Sequence, residues 1–285
     1  MINMLKIQIT YKQRLITICL FLLALFFLNF SNHISAEDAD PSLPEGYVLT
    51  TLITGANRGI GLEFTKQYLE KGWRVIATCR KTGTAEDLRL LQKEYPDRLI
   101  IDRLDVRNHK RIDVLARKYK NVPIDVLLNN AGISGGTSNQ IFGRFNYDAY
   151  NTVLETNTIA PLKIAEAFYP NVRDSQQKKI IAVSSSEGSI DNVFKRGGRL
   201  FFYRSSKSAL NMLMVNLAYM LKDRGIAVGL VNPGATGTDF MSGLPAFFPL
   251  RKTEDAVEDM IRNIDSITIE NTGAYLNYNG KTISW

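Results

Sequence analysis

The chain has 285 residues, enough for one large α/β domain or two small ones, and its 45% apolar fraction excludes wholesale disorder. Two cysteines, Cys19 and Cys79, build no disulfide framework; with only His33 and His109 as histidines, histidine-driven hydrolysis and zinc-type alcohol oxidation are poorly served. The formal charge is +7, but Lys6, Lys12 and Arg14 lie in an acid-free stretch; beyond residue 36 there are 32 basic against 28 acidic residues, or +4, which requires no nucleic-acid partner.

Residues 1–14 form a basic lead and residues 15–30 a continuous apolar run. Sixteen residues are short for a membrane span, which needs about 20, and suit a signal-peptide core ending near Ala36. The division expected is therefore a signal peptide over 1–36, a linker over 37–46 and a folded domain over 47–285. The protein is exported, periplasmic or secreted, if that segment is cleaved; the alternative is an uncleaved N-terminal membrane anchor.

From residue 47 the pattern alternates between strand and helix. Short apolar runs predict strands at 48–54, 74–79, 99–104, 124–128, 179–183, 226–231 and 274–278. Helices are expected from the glycine-rich turn to about 71, over 146–169, 206–224 and 253–264. Strands separated by helices imply a parallel sheet covered on both faces. The fold class is α/β: a Rossmann-type, doubly wound parallel sheet in three layers and a single domain.

Polar or glycine-containing turns follow strands one, three, four, five and six, all on the carboxyl edge where ligands of such sheets bind. The first reads Gly55, Ala56, Asn57, Arg58, Gly59, Ile60, Gly61. Glycines there allow a tight turn and close approach of a pyrophosphate to the helix N-terminus, although a glycine turn is also an ordinary structural device. Arg80 and Lys81 stand where an acidic residue would select NAD; with Arg58 they favour the 2′-phosphate of NADP over NAD. Asp105 and Val106 end the third strand, where a carboxylate suits an adenine amino group. Asn130, Ala131 and Gly132 end the fourth, three serines (Ser184 to Ser186) the fifth, and Pro233 and Gly234 the sixth.

Tyr203 and Lys207 lie four residues apart, on one helical face. An ammonium beside a phenol lowers the phenol's pKa toward a range useful for proton transfer. Read alone, the pair is equally an ordinary stretch of amphipathic helix. Together with the edge motifs, the sequence from about residue 49 to the C-terminus resembles the short-chain dehydrogenase/reductases. Within them it is most similar to carbonyl reductases of the sniffer and C-factor type, through the stretches 155–161, 185–190, 206–212 and 279–285.

The resemblance implies an NADPH-dependent carbonyl reductase with a tetrad. Tyr203 would be the acid/base, and Lys207 would lower its pKa and hold the nicotinamide ribose. Ser185 would bind the substrate oxygen, with Ser184 or Ser186 as alternatives because the following loop is long. Asn157 would place a water feeding the lysine. Thr236 and Thr238 would belong to the nicotinamide site, and the apolar stretch 243–250, with Phe247 and Phe248, to a lid over a hydrophobic aldehyde, ketone or quinone. The same lid could instead be a docking surface. A homo-oligomer is implied, no metal is called for, and His109 and Cys79 read as structural. The alternative function is a non-catalytic nucleotide-binding or signalling protein of the same fold.

Overall fold

Seven short, largely apolar segments pair into one sheet: β1 (Thr50–Thr54), β2 (Arg74–Cys79), β3 (Leu99–Arg103), β4 (Val126–Asn129), β5 (Lys179–Val183), β6 (Ala227–Asn232) and β7 (Tyr275–Asn277). Their order is β3-β2-β1-β4-β5-β6-β7 and every pair is parallel. The computed structural model describes residues 43–238 and 249–285. The signal segment 1–36, most of the linker and Phe247 and Phe248 of the expected lid fall outside the described residues.

Parallel strands need crossovers, and these cover both faces. On one face lie α1 (Gly59–Glu70), α2 (Glu86–Glu94) and α8 (Thr253–Ser266), which bury Phe64, Leu88 and Met260 against Ile53, Val75 and Leu128. On the other lie α3 (His109–Lys118), α5 (Ala160–Arg173) and α7 (Phe201–Lys222), packing Ile112, Phe168 and Met214 against Leu52, Leu127 and Leu230. Each fully buried side chain of this kind contributes roughly 1.5–3 kcal/mol by leaving water. Two further helices, α4 (Tyr147–Leu154) and α6 (Asn192–Arg196), belong to the crossovers that end at α5 and α7.

Because β1 pairs with both β2 and β4, the chain order reverses beside β1, and a crevice opens at the carboxyl ends there. The opposite end is a structural knot. Asp125 is fully buried, and its carboxylate accepts from the N–H groups of Thr50 (2.8 Å), Gln176 (3.0 Å) and Gln177 (3.1 Å).

Several strand boundaries shift by one or two residues from the sequence expectation, β4 for example starting at Val126 and not at 124, and two helices differ by more. Strand β1 starts at Thr50, because the register with β2 begins by pairing Thr50 with Arg74. The helix expected over 146–169 is α4, a π-turn (Glu155–Ile159) and α5, the last continuing to Arg173 through the exposed Pro170. The helix expected from residue 206 begins at Phe201, with Leu200 before it in the left-handed region (φ 55°). That earlier start places Tyr203 in the first turn.

Candidate active site

The glycine turn after β1 follows from crowding. Gly55 has φ 68°, and a Cβ on it would lie 3.0 Å from Ala131 Cα; one on Gly61 would lie 2.2 Å from the Gly55 carbonyl oxygen. Asn130 stitches the turns after β1 and β4 together. Its side-chain amide donates to the carbonyls of Thr54 (2.8 Å) and Gly55 (3.2 Å), and its backbone N–H to Thr54 Oγ1 (3.0 Å). The first turn of α1 has no side-chain cap and no acidic residue, and Arg58 precedes it. Its N–H groups and dipole therefore favour an anion, which fits a cofactor pyrophosphate.

Arg80 is exposed at the end of β2, and its charge reaches Asp105. Burial opposes ionisation of Asp105, but two hydrogen bonds and the charge of Arg107, helped by Arg80, hold the carboxyl below its ordinary range. The side chain of Asp105 is thus already engaged by Arg107 Nη2 at 3.2 Å. Val106 is buried in the core cluster under α3. Asn57 and Ile60 are half-buried, and Gly132 is exposed. Pro233 is buried, Gly234 has φ 74°, and Thr236 is buried with its hydroxyl 3.3 Å from both the Pro233 and the Gly234 carbonyl oxygens. Thr238 comes within reach of the glycine turn: a Cβ on Gly59 would lie 3.3 Å from its methyl carbon.

At the same edge, Ser185 follows β5 and Tyr203 opens α7. The Ser185 side chain faces the Tyr203 phenol closely enough to hold its pKa down, and its hydroxyl accepts from the Glu187 N–H at 3.2 Å. Ser184, by contrast, donates to Asn211 Oδ1 at 2.6 Å and is buried. Of Ser184 and Ser185, the second is the one the fold turns toward the phenol. Gly188 lets the turn after Ser185 pack closely on α7, since a Cβ there would sit 2.8 Å from Lys207 Cβ.

Lys207 is buried, donates to the Val183 carbonyl at 2.8 Å and lies 5.8 Å from the centre of the Tyr203 ring. Burial lowers its pKa to about 8. The expectation that the lysine simply depresses the phenol is corrected here. Burial pushes Tyr203 above the ordinary phenol range, the Ser185 side chain pulls it back, and Tyr275 and Glu187 push it up further. The ammonium is committed to a carbonyl and is itself destabilised, so desolvation of the phenol wins.

Asn157 sits in the π-turn, wholly buried. Its side chain accepts from the Ile133 N–H and donates to the Ile133 carbonyl, both at 2.9 Å, and donates to Ser206 Oγ at 3.0 Å. A Cβ on Gly132 would be 3.5 Å from Asn157 Oδ1 and 3.8 Å from Lys207 Nζ, so these two groups share one corner.

Two supports of the site lay outside the sequence reading. The buried Tyr275 donates its hydroxyl to the Ser185 carbonyl, and the Trp285 ring stacks on it at 5.1 Å. Arg204 bonds Glu187 through Nε at 2.5 Å and the Gly197 carbonyl through Nη1 at 2.6 Å, tying the long loop after Ser185 to α7. A charged residue beside Tyr203 on a buried helix was the available signal for the second; nothing local marked the first. His109 lies 3.7 Å from Glu155, and Cys79 is buried with its thiol pushed up by burial.

A parallel sheet whose glycine turn, Asn-Ala-Gly turn and Ser-Tyr-Lys group meet at one edge is the arrangement of a nucleotide-dependent oxidoreductase. The short chain dehydrogenase family model matches residues 49–246, and the chain belongs to that family. It is similar to the 1-hydroxy-2-glutathionyl-2-methyl-3-butene dehydrogenase of Rhodococcus sp. (strain AD45), 29% identical over 83% of this chain and 99% of the relative. Among solved structures it resembles an NADPH-bound carbonyl reductase from chicken fatty liver, with TM-score 0.76 and 32% identity over 84% of this chain and 99% of that one. It also resembles the carbonyl reductase Sniffer of D. melanogaster, with TM-score 0.75 and 28% identity over 84% of this chain and 100% of that one.

Proposed function

We propose that this protein is an NADPH-dependent oxidoreductase that reduces an aldehyde, ketone or quinone carbonyl to the alcohol. The observation that carries the reading is the meeting of Ser185, Tyr203 and Lys207, the last 5.8 Å from the phenol ring centre, at the edge that also holds the glycine turn. The NADP-type cofactor is supported by the cations Arg58, Arg80 and Lys81 around the turn and by the NADPH-bound relative.

Bound NADPH would supply the hydride. Gly55, Gly59 and Gly61 with the N-terminus of α1 would hold its pyrophosphate, Arg80 the 2′-phosphate, and Thr238 would lie beside the nicotinamide. The chain's own chemistry is proton delivery. A carbonyl that gains hydride develops negative charge on oxygen, and two donors aimed at that atom lower the barrier. Tyr203 gives the proton while Ser185 keeps the second hydrogen bond. The raised phenol pKa keeps Tyr203 protonated before transfer, and the Lys207 ammonium stabilises the phenolate left afterwards. Asn157 has its side chain committed to Ile133 and Ser206, so any contribution to a water relay would come through the main chain of the π-turn.

Among the described residues no helix is long and apolar enough to cross a membrane. We read residues 1–36 as an export signal, or as an anchor if uncleaved, and the protein as a homo-oligomer.

The test is NADPH oxidation across a panel of aliphatic and aromatic carbonyls, wild type against Tyr203→Phe. The expected loss is about 10²- to 10⁴-fold in rate with NADPH binding retained. Equal rates in the two proteins refute the mechanism. NADPH binding without turnover of any panel member would favour the non-catalytic alternative.

A further inference from the structure

We infer that Gln140 is a positioning residue for this site: its buried amide locks the first turn of α7 to the loop after β4, and so sets where Tyr203 stands. The inference rests on the reading of Tyr203 given above. The first N–H groups of any helix need acceptors. For α7 no local side chain supplies one, because Leu200, in the left-handed region, occupies the capping position. The acceptor comes instead from 62 residues away. Gln140 Oε1 takes the N–H of Phe202 at 2.8 Å and that of Tyr203 at 3.4 Å.

The other end of the same amide holds the loop. Gln140 Nε2 donates to the carbonyls of Ser134 (2.7 Å) and Gly136 (3.0 Å), and the residue is only 6% exposed. Gly135 sits between them at φ 81°, where a Cβ would strike the Val153 side chain at 2.7 Å, so the loop has little freedom to rearrange. Just before this loop, Asn157 pins Ile133 and reaches Ser206. The chain leaving β4 is therefore stitched to α7 twice, at residues 202–203 and at 206, with Tyr203 and Lys207 at these joints.

The chemical identity of the clamp matters. A carboxylate at position 140 would cap the helix at least as well, but it would lose both donors to the loop and bring a charge to the phenol's own residue. Tyr203 already meets an unfavourable charge in Glu187. A neutral amide supplies an acceptor and a donor together without charge.

The experiment uses the full chain with NADPH and compares wild type, Gln140→Leu and Gln140→Glu. Hydrogen exchange at the Phe202 and Tyr203 amides is read alongside kcat, carbonyl KM, melting temperature and NADPH affinity by fluorescence. In Gln140→Leu the two amides are expected to exchange about 5- to 10-fold faster, the scale of a lost cap. Its kcat is expected to fall about tenfold or more, with NADPH affinity within about twofold, since a misplaced group costs rate more than remote binding. Gln140→Glu keeps the acceptor and should restore protection at both amides, with kcat between the other two. An unchanged kcat per folded molecule in Gln140→Leu, or a loss that only tracks the unfolded fraction, overturns the inference. If the wild type reduces no carbonyl, the functional reading fails on its own. Amide exchange then decides the clamp, and unchanged exchange in Gln140→Leu refutes it.

Discussion

Lys207 Nζ donates to the Val183 carbonyl at 2.8 Å while standing 5.8 Å from the centre of the Tyr203 ring. The two residues share a helical face, yet the ammonium is anchored to the sheet and not to the phenol. This anchoring fixes the charge where a phenolate would form, at the expense of burying a cation.

That burial has a pH signature. The folded pKa of Lys207 is about 8, below its ordinary 10.5. Between these values the unfolded chain binds more protons, so the lysine's destabilising effect is full below about pH 8 and fades as pH rises to about 10.5. A shift of this size is on the order of 3 kcal/mol. Lys207→Met should melt higher than wild type at pH 7, and the gap should narrow between pH 8 and 10 while turnover stays lost throughout. Thermal denaturation across that pH range checks it; a gap independent of pH refutes the account.

The serines after β5 separate by partner. Ser185 meets Tyr203, whereas Ser184 is spent on Asn211 at 2.6 Å. Ser185→Ala should lower kcat by about 10²-fold, the scale of one lost oxyanion donor. Ser184→Ala should chiefly lower the melting temperature, because it leaves Asn211 short of a buried partner. Steady-state kinetics beside calorimetry distinguishes the two; the reverse pattern would move the assignment to Ser184.

Cofactor choice is expected to hinge on Arg80. A hydrogen bond to a charged group contributes about 1.5–3 kcal/mol, so Arg80→Ala should weaken NADPH roughly 10- to 150-fold and leave NADH nearly unchanged. The NADPH preference should also decline with added salt, since Arg80 is exposed. Titrating both nucleotides at two ionic strengths tests this.

Asp125 lies at the opposite end of the strands from the site, with three backbone N–H groups on its carboxylate. Asp125→Ala would strand those donors in a dry interior and should cost about 3–5 kcal/mol of stability. The kcat of the fraction that remains folded should be unchanged. Urea unfolding and activity on the same samples measure both; a selective loss of kcat would show that this end communicates with the site.

The legible part of the chain was its local grammar. The alternation of apolar runs with helical stretches predicted every strand of the sheet to within a few residues, because burial on both faces leaves strands such as Ile180 to Val183 almost wholly apolar. The glycine turn was legible for a similar reason: a Cβ on Gly61 would lie 2.2 Å from the carbonyl oxygen of Gly55, six residues earlier in the same turn. The start of α7 was missed because its first turn takes its cap from Gln140, far off in the sequence, so no capping residue stands before Phe201.

Sequence alone was enough to settle the fold class and which residue types gather at the carboxyl edge, since both follow from periodicity and from chain direction in a parallel sheet. Only the tertiary structure decided which of Ser184 and Ser185 faces the phenol, that the Lys207 ammonium rests on Val183, and that Tyr275 reaches Ser185 across 90 residues. The reason is geometric. Such contacts depend on strand order and register, and a hydrogen bond tolerates errors of only a few tenths of an ångström, which no local pattern of residues encodes.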